Sequence, residues 1–98
     1  MIHHLVLIRF KPGTPQVQID AAGQALVGLK GIVPEIHQVQ WATNLAPSAA
    51  EYPWVLSVQL DDMAAVKRYL EHPTHVAVVE RLLVPIREAR LAIDFEVA

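Results

Sequence analysis

Ile2-His-His-Leu-Val-Leu-Ile-Arg-Phe10 is the stretch that decides the fold of this 98-residue chain. Its β-branched, leucine and aromatic residues suit a pleated strand, and Pro12-Gly13 stops it. A period of two puts Ile2, His4, Val6, Ile8 and Phe10 on one face, with His3, Leu5, Leu7 and Arg9 on the other. Both faces are largely apolar, so both need cover. A strand buried on two sides calls for helices against one face and another layer, such as a second subunit's sheet, against the other.

Downstream, Thr14 offers a helix N-cap with Pro15 at the first helical position. Val17, Ile19, Ala22, Ala25, Leu26 and Leu29 supply the apolar stripe, and Gly28, Gly31 and Pro34 end the helix. The small residues Ala21, Ala22 and Gly23 imply either close packing or room for a ligand. Residues 36–43 alternate Ile, Val and Trp with His and Gln and predict a second strand, and residues 52–60 predict a third. Asp61 or Asp62 then caps a helix over residues 63–71. Residues 90–97 alternate Leu91, Ile93, Phe95 and Val97 with Ala92, Asp94 and Glu96 and predict the last strand. The order strand, helix, strand, strand, helix, strand is that of a ferredoxin-like α+β fold, one domain over residues 1–98 with a four-stranded antiparallel sheet. Two such sheets packed face to face form a dimeric α/β barrel.

Composition points the same way. The chain is 53% hydrophobic and only 18% charged, which is apolar for so small a protein and is most easily accommodated at a homodimer interface. The net charge is -2 and the basic residues are scattered, so neither nucleic acid nor an anionic membrane is an expected partner. Cysteine is absent, which excludes disulfides and thiolate chemistry. The apolar run Leu5 to Ile8, cut by Arg9, is too short for a signal peptide or a membrane span, and the expected location is cytoplasmic.

Chemistry concentrates in Tyr69-Leu-Glu-His-Pro-Thr-His75, which places one of two tyrosines and two of five histidines beside a proline. Pro73 lacks the amide donor needed to continue the preceding helix but suits the first position of a new one, with Val76, Val79, Leu82 and Leu83 as its stripe. At such a corner Tyr69 and His75 can face one space, with His72 on its rim and Leu26, Val76 and Val79 as apolar lining. Asp94, a carboxylate within an apolar strand, needs a partner, because burying it alone is costly. His75 is the expected partner: a hydrogen bond from one ring nitrogen to Asp94 leaves the other nitrogen as a general base. Tyr69 then donates to a carbonyl or enolate oxygen, and His4 orients water or substrate. The rival readings are a corner whose polar groups only cap backbone, and a metal site of His3, His4, His72 and His75, which lacks standard ligand spacing. Arg81, Arg87, Glu88 and Arg90 read as a solvated edge rather than an anion site. Serine nucleophiles and phosphate loops are unsupported.

The segments His4-Leu-Val-Leu-Ile-Arg-Phe-Lys11, Tyr69-Leu-Glu-His-Pro-Thr-His75-Val and Ile93-Asp94-Phe95 together resemble the stress-responsive α/β-barrel (Dabb) domain family over essentially the whole chain. The resemblance implies ferredoxin-like subunits paired through their sheets, with a small-molecule pocket in each. For a cyclase of that family it implies a general base at His75 assisted by Asp94, with Tyr69 and His4 in the same pocket, and no cofactor. It also leaves open a non-catalytic stress or ligand-binding protein, and a cofactor-free monooxygenase or isomerase. Bulky aromatics of that cyclase's first helix are replaced here by Ala22 and Gly23, which argues against the same substrate.

Overall fold

The computed structural model describes residues 1–98 and has the order β1 (Ile2–Phe10), α1 (Gln16–Gly28), β2 (Gln38–Thr43), β3 (Trp54–Leu60), α2 (Met63–Glu71), α3 (Pro73–Val78) and β4 (Arg87–Glu96). Short 3-10 turns occur at Leu29–Gly31 and Pro47–Ala50, and one π-helical turn at Val79–Leu83 follows α3. The strands form one antiparallel sheet in the order β2-β3-β1-β4, the ferredoxin-like arrangement. β1 alternates buried and half-buried residues along its whole length, as its period requires. Ile2, Val6, Ile8 and Phe10 meet the helices, and with Leu56, Val58, Leu60, Leu26, Leu29, Val66 and Tyr69 they make up most of a single core.

The other face of the sheet has no layer on it within the chain. Register pairs His3, Leu5 and Leu7 of β1 with Phe95, Ile93 and Leu91 of β4, so all six share that face. Leu91, Ile93 and Phe95 are each more than 40% exposed, which for large apolar side chains on one strand marks an incomplete surface.

Several boundaries move for local reasons. Pro15, not Thr14, occupies the cap position of α1, and no side chain caps that end. Thr14 is engaged in the turn before it, where Gly13 adopts φ +80 and the Thr14 hydroxyl donates to the Lys11 carbonyl at 2.6 Å. Asp62 does cap α2, accepting from the Ala65 amide at 2.8 Å. β4 begins at Arg87, three residues before the predicted start, because a bulge opposite Arg9 and Phe10 lets the pairing with β1 continue past Arg90. Among the small residues of α1, Gly23 serves close packing. A Cβ there would overlap the indole of Trp41, which stacks on Trp54 with ring centroids 5.3 Å apart.

This contact predicts that Gly23→Ala destabilises the fold by about 1–3 kcal/mol, because a stacked indole has little freedom to yield. A lowered urea midpoint with an altered near-ultraviolet circular dichroism band from the tryptophan pair is the expected readout. Unchanged stability would show that α1 can lift off the sheet at no cost.

Candidate functional site

The corner between α2 and α3 is built on His72. Its backbone is extended (φ -59, ψ 131), the conformation favoured before proline, so α2 must stop there and α3 starts with Pro73 at its first position. His72 Nδ1 accepts the Thr74 amide at 3.1 Å and thereby caps α3. This settles the role of a residue expected on the pocket rim: His72 does not line the cavity, since its ring is turned to the helix end.

Beyond the corner, His75, Val76, Val79, Glu80 and Leu83 recur at helical spacing and form one wall of a cavity of about 350 Å³. The sheet supplies His4, Val6, Ile8, Leu56, Arg87 and Arg90; Leu26 of α1 and Tyr69 and Leu70 of α2 complete it. The volume lies within the range of small-molecule sites, and the lining has their usual character, mostly apolar with a few convergent polar groups. Tyr69, His75, His4, Leu26, Val76 and Val79 therefore share one space, as the sequence suggested. The ring of Tyr69 lies 4.5 Å from that of His75 and 6.1 Å from that of His4, centroid to centroid.

Asp94 is the correction. Its partner is His4, not His75. Antiparallel register sets His4 of β1 directly opposite Asp94 of β4, on the helix-facing side of the sheet, and His4 Nδ1 donates to Asp94 Oδ1 at 2.5 Å. Asp94 itself does not line the cavity. His75 instead donates from Nδ1 to the Leu70 carbonyl at 3.1 Å. Carboxylates and carbonyls only accept here, so both imidazoles carry a proton on Nδ1, and His75 when neutral keeps Nε2 as an acceptor. The tautomer expected of His75 is thus set by backbone instead of by a carboxylate.

Electrostatics separate the polar groups. Burial pushes the His75 imidazole below its ordinary value. The Leu70 carbonyl opposes this, while charge on His4 or His72 adds to it. His75 is accordingly neutral at pH 7. The phenol of Tyr69 is wholly buried, and desolvation pushes it well above its usual range, so it is always a donor. Its oxygen has no hydrogen-bond partner within the chain. No three histidine, aspartate or glutamate side chains converge as a metal site would require: His3 lies against Phe95 on the open face, and His4 and His72 are engaged as described.

Three charged lining residues escaped the sequence reading. Glu80 follows His75 and Val76 at helical spacing and was visible in principle. Arg87 and Arg90, read as part of a solvated edge, are brought to the cavity by the bulge in β4, for which the sequence carries no signal.

The profile of the stress-responsive A/B barrel domain family matches residues 2–97. An uncharacterised protein of Streptomyces coelicolor is 33% identical over 79 residues, covering 79% of this chain and 81% of that one. Olivetolic acid cyclase of Cannabis sativa is 25% identical over 77 residues, covering 76% of each. Among solved structures, a dimeric ferredoxin-like protein of unknown function from Bacteroides fragilis superposes with a TM-score of 0.85 at 25% identity, covering 98% of this chain and 95% of that one.

The lowered His75 value has a definite sign. The unfolded chain takes up a proton at the ordinary histidine value before the folded chain does, so stability falls as pH drops through about 6.5 and levels off below the folded value. The His75 ring-proton shift should titrate with a midpoint below 6.5, and His75→Gln should remove part of the acid loss of stability. A midpoint at or above 6.5 would contradict the desolvated site.

Proposed function

Because the chain belongs to the stress-responsive A/B barrel family, we propose that its cavity binds a small carbonyl-bearing molecule and that His75 removes a proton next to the carbonyl. The observation that carries this reading is a neutral imidazole with a fixed tautomer beside a buried phenol that has no partner, both on one cavity. The carbon–hydrogen bond breaks, the proton goes to His75 Nε2, and the electron pair moves to the carbonyl oxygen. That oxygen accepts the Tyr69 hydroxyl, whose donor strength is felt most as charge develops there. Return of the proton to carbon, or attack of the enolate on a second carbonyl, completes an isomerase-like or cyclase-like cycle with His75 neutral again. His4, held by Asp94, orients the substrate or water from the sheet side. No redox step is involved, and none of these steps calls on a cofactor. The relationship to olivetolic acid cyclase supports ring closure through an enolate as one member of this class.

A second reading, ligand binding without turnover, draws on one feature: a neutral carbonyl behind His75 stabilises its imidazolium less than a carboxylate would. Hydrogen–deuterium exchange separates the two. Wild-type protein should accelerate exchange of the methyl protons of acetophenone over buffer, and His75→Gln should slow the catalysed rate by about 100-fold or more. Tyr69→Phe should slow it by about 100-fold. Rates equal to His75→Gln in the wild type would leave binding as the function.

The apolar open face points to a homodimer built sheet to sheet, in keeping with the dimeric Bacteroides fragilis protein. Sedimentation should give a dimer for the wild type and a monomer for Ile93→Glu. A monomeric wild type would leave Leu91, Ile93 and Phe95 without an explanation.

A further inference from the structure

The cavity has a charged end that the proton-transfer chemistry does not use. Arg87 and Arg90 both line it, yet they are three residues apart on β4, and in a regular strand such residues point to opposite faces. The bulge resolves this. Arg90 pairs with Ile8, Ala89 with Arg9, and Arg87 with Phe10, so the extra residue, Glu88, is taken up opposite Arg9 and both arginines fall on the helix-facing side with Ile8 and Phe10. Glu88, the adjacent carboxylate, is held by Arg9 Nε at 2.8 Å.

Neither Arg87 nor Arg90 makes an ion pair or a side-chain hydrogen bond within the chain; the four ion pairs involve His4, Arg9, His37 and Arg68. Glu80 lines the same cavity but is exposed and pairs with neither. Two guanidiniums thus face one apolar space with a single carboxylate elsewhere on its wall. Burial and the charge of Arg90 both push the Arg87 guanidinium below its ordinary value, as expected of like charges sharing a partly desolvated site. Such an arrangement is unfavourable in the empty protein and becomes favourable once an anion enters. Paired guanidiniums match the planar geometry of a carboxylate.

We propose that Arg87 and Arg90 form a carboxylate-binding subsite, and that the natural substrate is therefore an organic acid. Its carboxylate lies at the start of β4 and its apolar body in the cavity, with its carbonyl between His75 and Tyr69. This rests on the proton-transfer reading only for the placement of the carbonyl; the acid preference stands on the arginines alone.

The test is a titration followed by protein NMR, with 4-oxo-4-phenylbutanoate and its primary amide as matched probes. The acid should bind at least about tenfold more tightly than the amide, and 0.5 M salt should weaken only the acid. Arg87→Gln combined with Arg90→Gln should bring the acid down to the affinity of the amide and leave the amide unchanged. Arg90→Lys, which keeps the charge on an exposed position, should retain a reduced preference. Equal affinities of acid and amide in the wild type, no binding of the acid, or a preference that survives the double substitution each overturn the proposal. Absence of an acid preference in the wild type with acetophenone exchange intact refutes this subsite alone. Absence of His75-dependent exchange with the preference intact refutes only the proton-transfer reading.

Discussion

Everything in this protein hangs from β1, a central strand hydrogen-bonded on both edges, with the helices on one face and the open apolar surface on the other. Its alternate residues serve two separate surfaces. Ile2, Val6, Ile8 and Phe10 anchor the core, and His4 in the same row enters the cavity. His3, Leu5 and Leu7 belong to the open apolar face. A one-residue slip of register would exchange the two sets, putting His4 on the open face and taking it away from both Asp94 and the cavity. The register that makes the core is therefore also the register that makes the site.

Position on the sheet explains why the polar groups can be afforded at all. His4 is almost fully buried, a state that imidazole tolerates only with a partner, and Asp94 meets it from the neighbouring strand without a loop or a long side chain having to be ordered. The helical half of the site is assembled differently. Pro73 ends one helix and starts another, His72 closes the seam, and Tyr69 and His75 come to rest on opposite sides of it. A rigid sheet edge and a proline corner thus face each other across about 350 Å³. Rigid elements of this kind hold side chains in place better than loops do.

What could be read from the sequence divides along the same line. Local signals carried far: alternation identified β1, Asp62 the start of α2, and Pro73 the corner, and with it the meeting of Tyr69 and His75. Relations between distant segments did not. That Asp94 needed a partner followed from its apolar surroundings, but choosing between His4 and His75 required the register of β1 against β4, which side-chain types alone leave open. Arg87 and Arg90 were misread for a related reason, since period two assigns them to opposite faces and only the bulge brings them together. Gly23 shows the converse: its small size signalled a close approach, and what approaches is the indole of Trp41.

The buried phenol is the polar group of the cavity left without a partner in the chain. Two side-chain polar atoms are buried without partners, Trp41 Nε1 and Tyr69 Oη. The first belongs to a ring that fills the hollow above Gly23 and stacks on Trp54, contacts that any large flat ring would make. The second has no such excuse. Phenylalanine would fill the same place without a hydroxyl, whereas an unsatisfied buried hydroxyl costs about 1–3 kcal/mol. At Tyr69 that cost falls on a group lining an open cavity and 4.5 Å, ring to ring, from an imidazole whose tautomer is already set. A donor without an acceptor in the chain thus stands on the cavity wall next to an imidazole whose tautomer the backbone fixes.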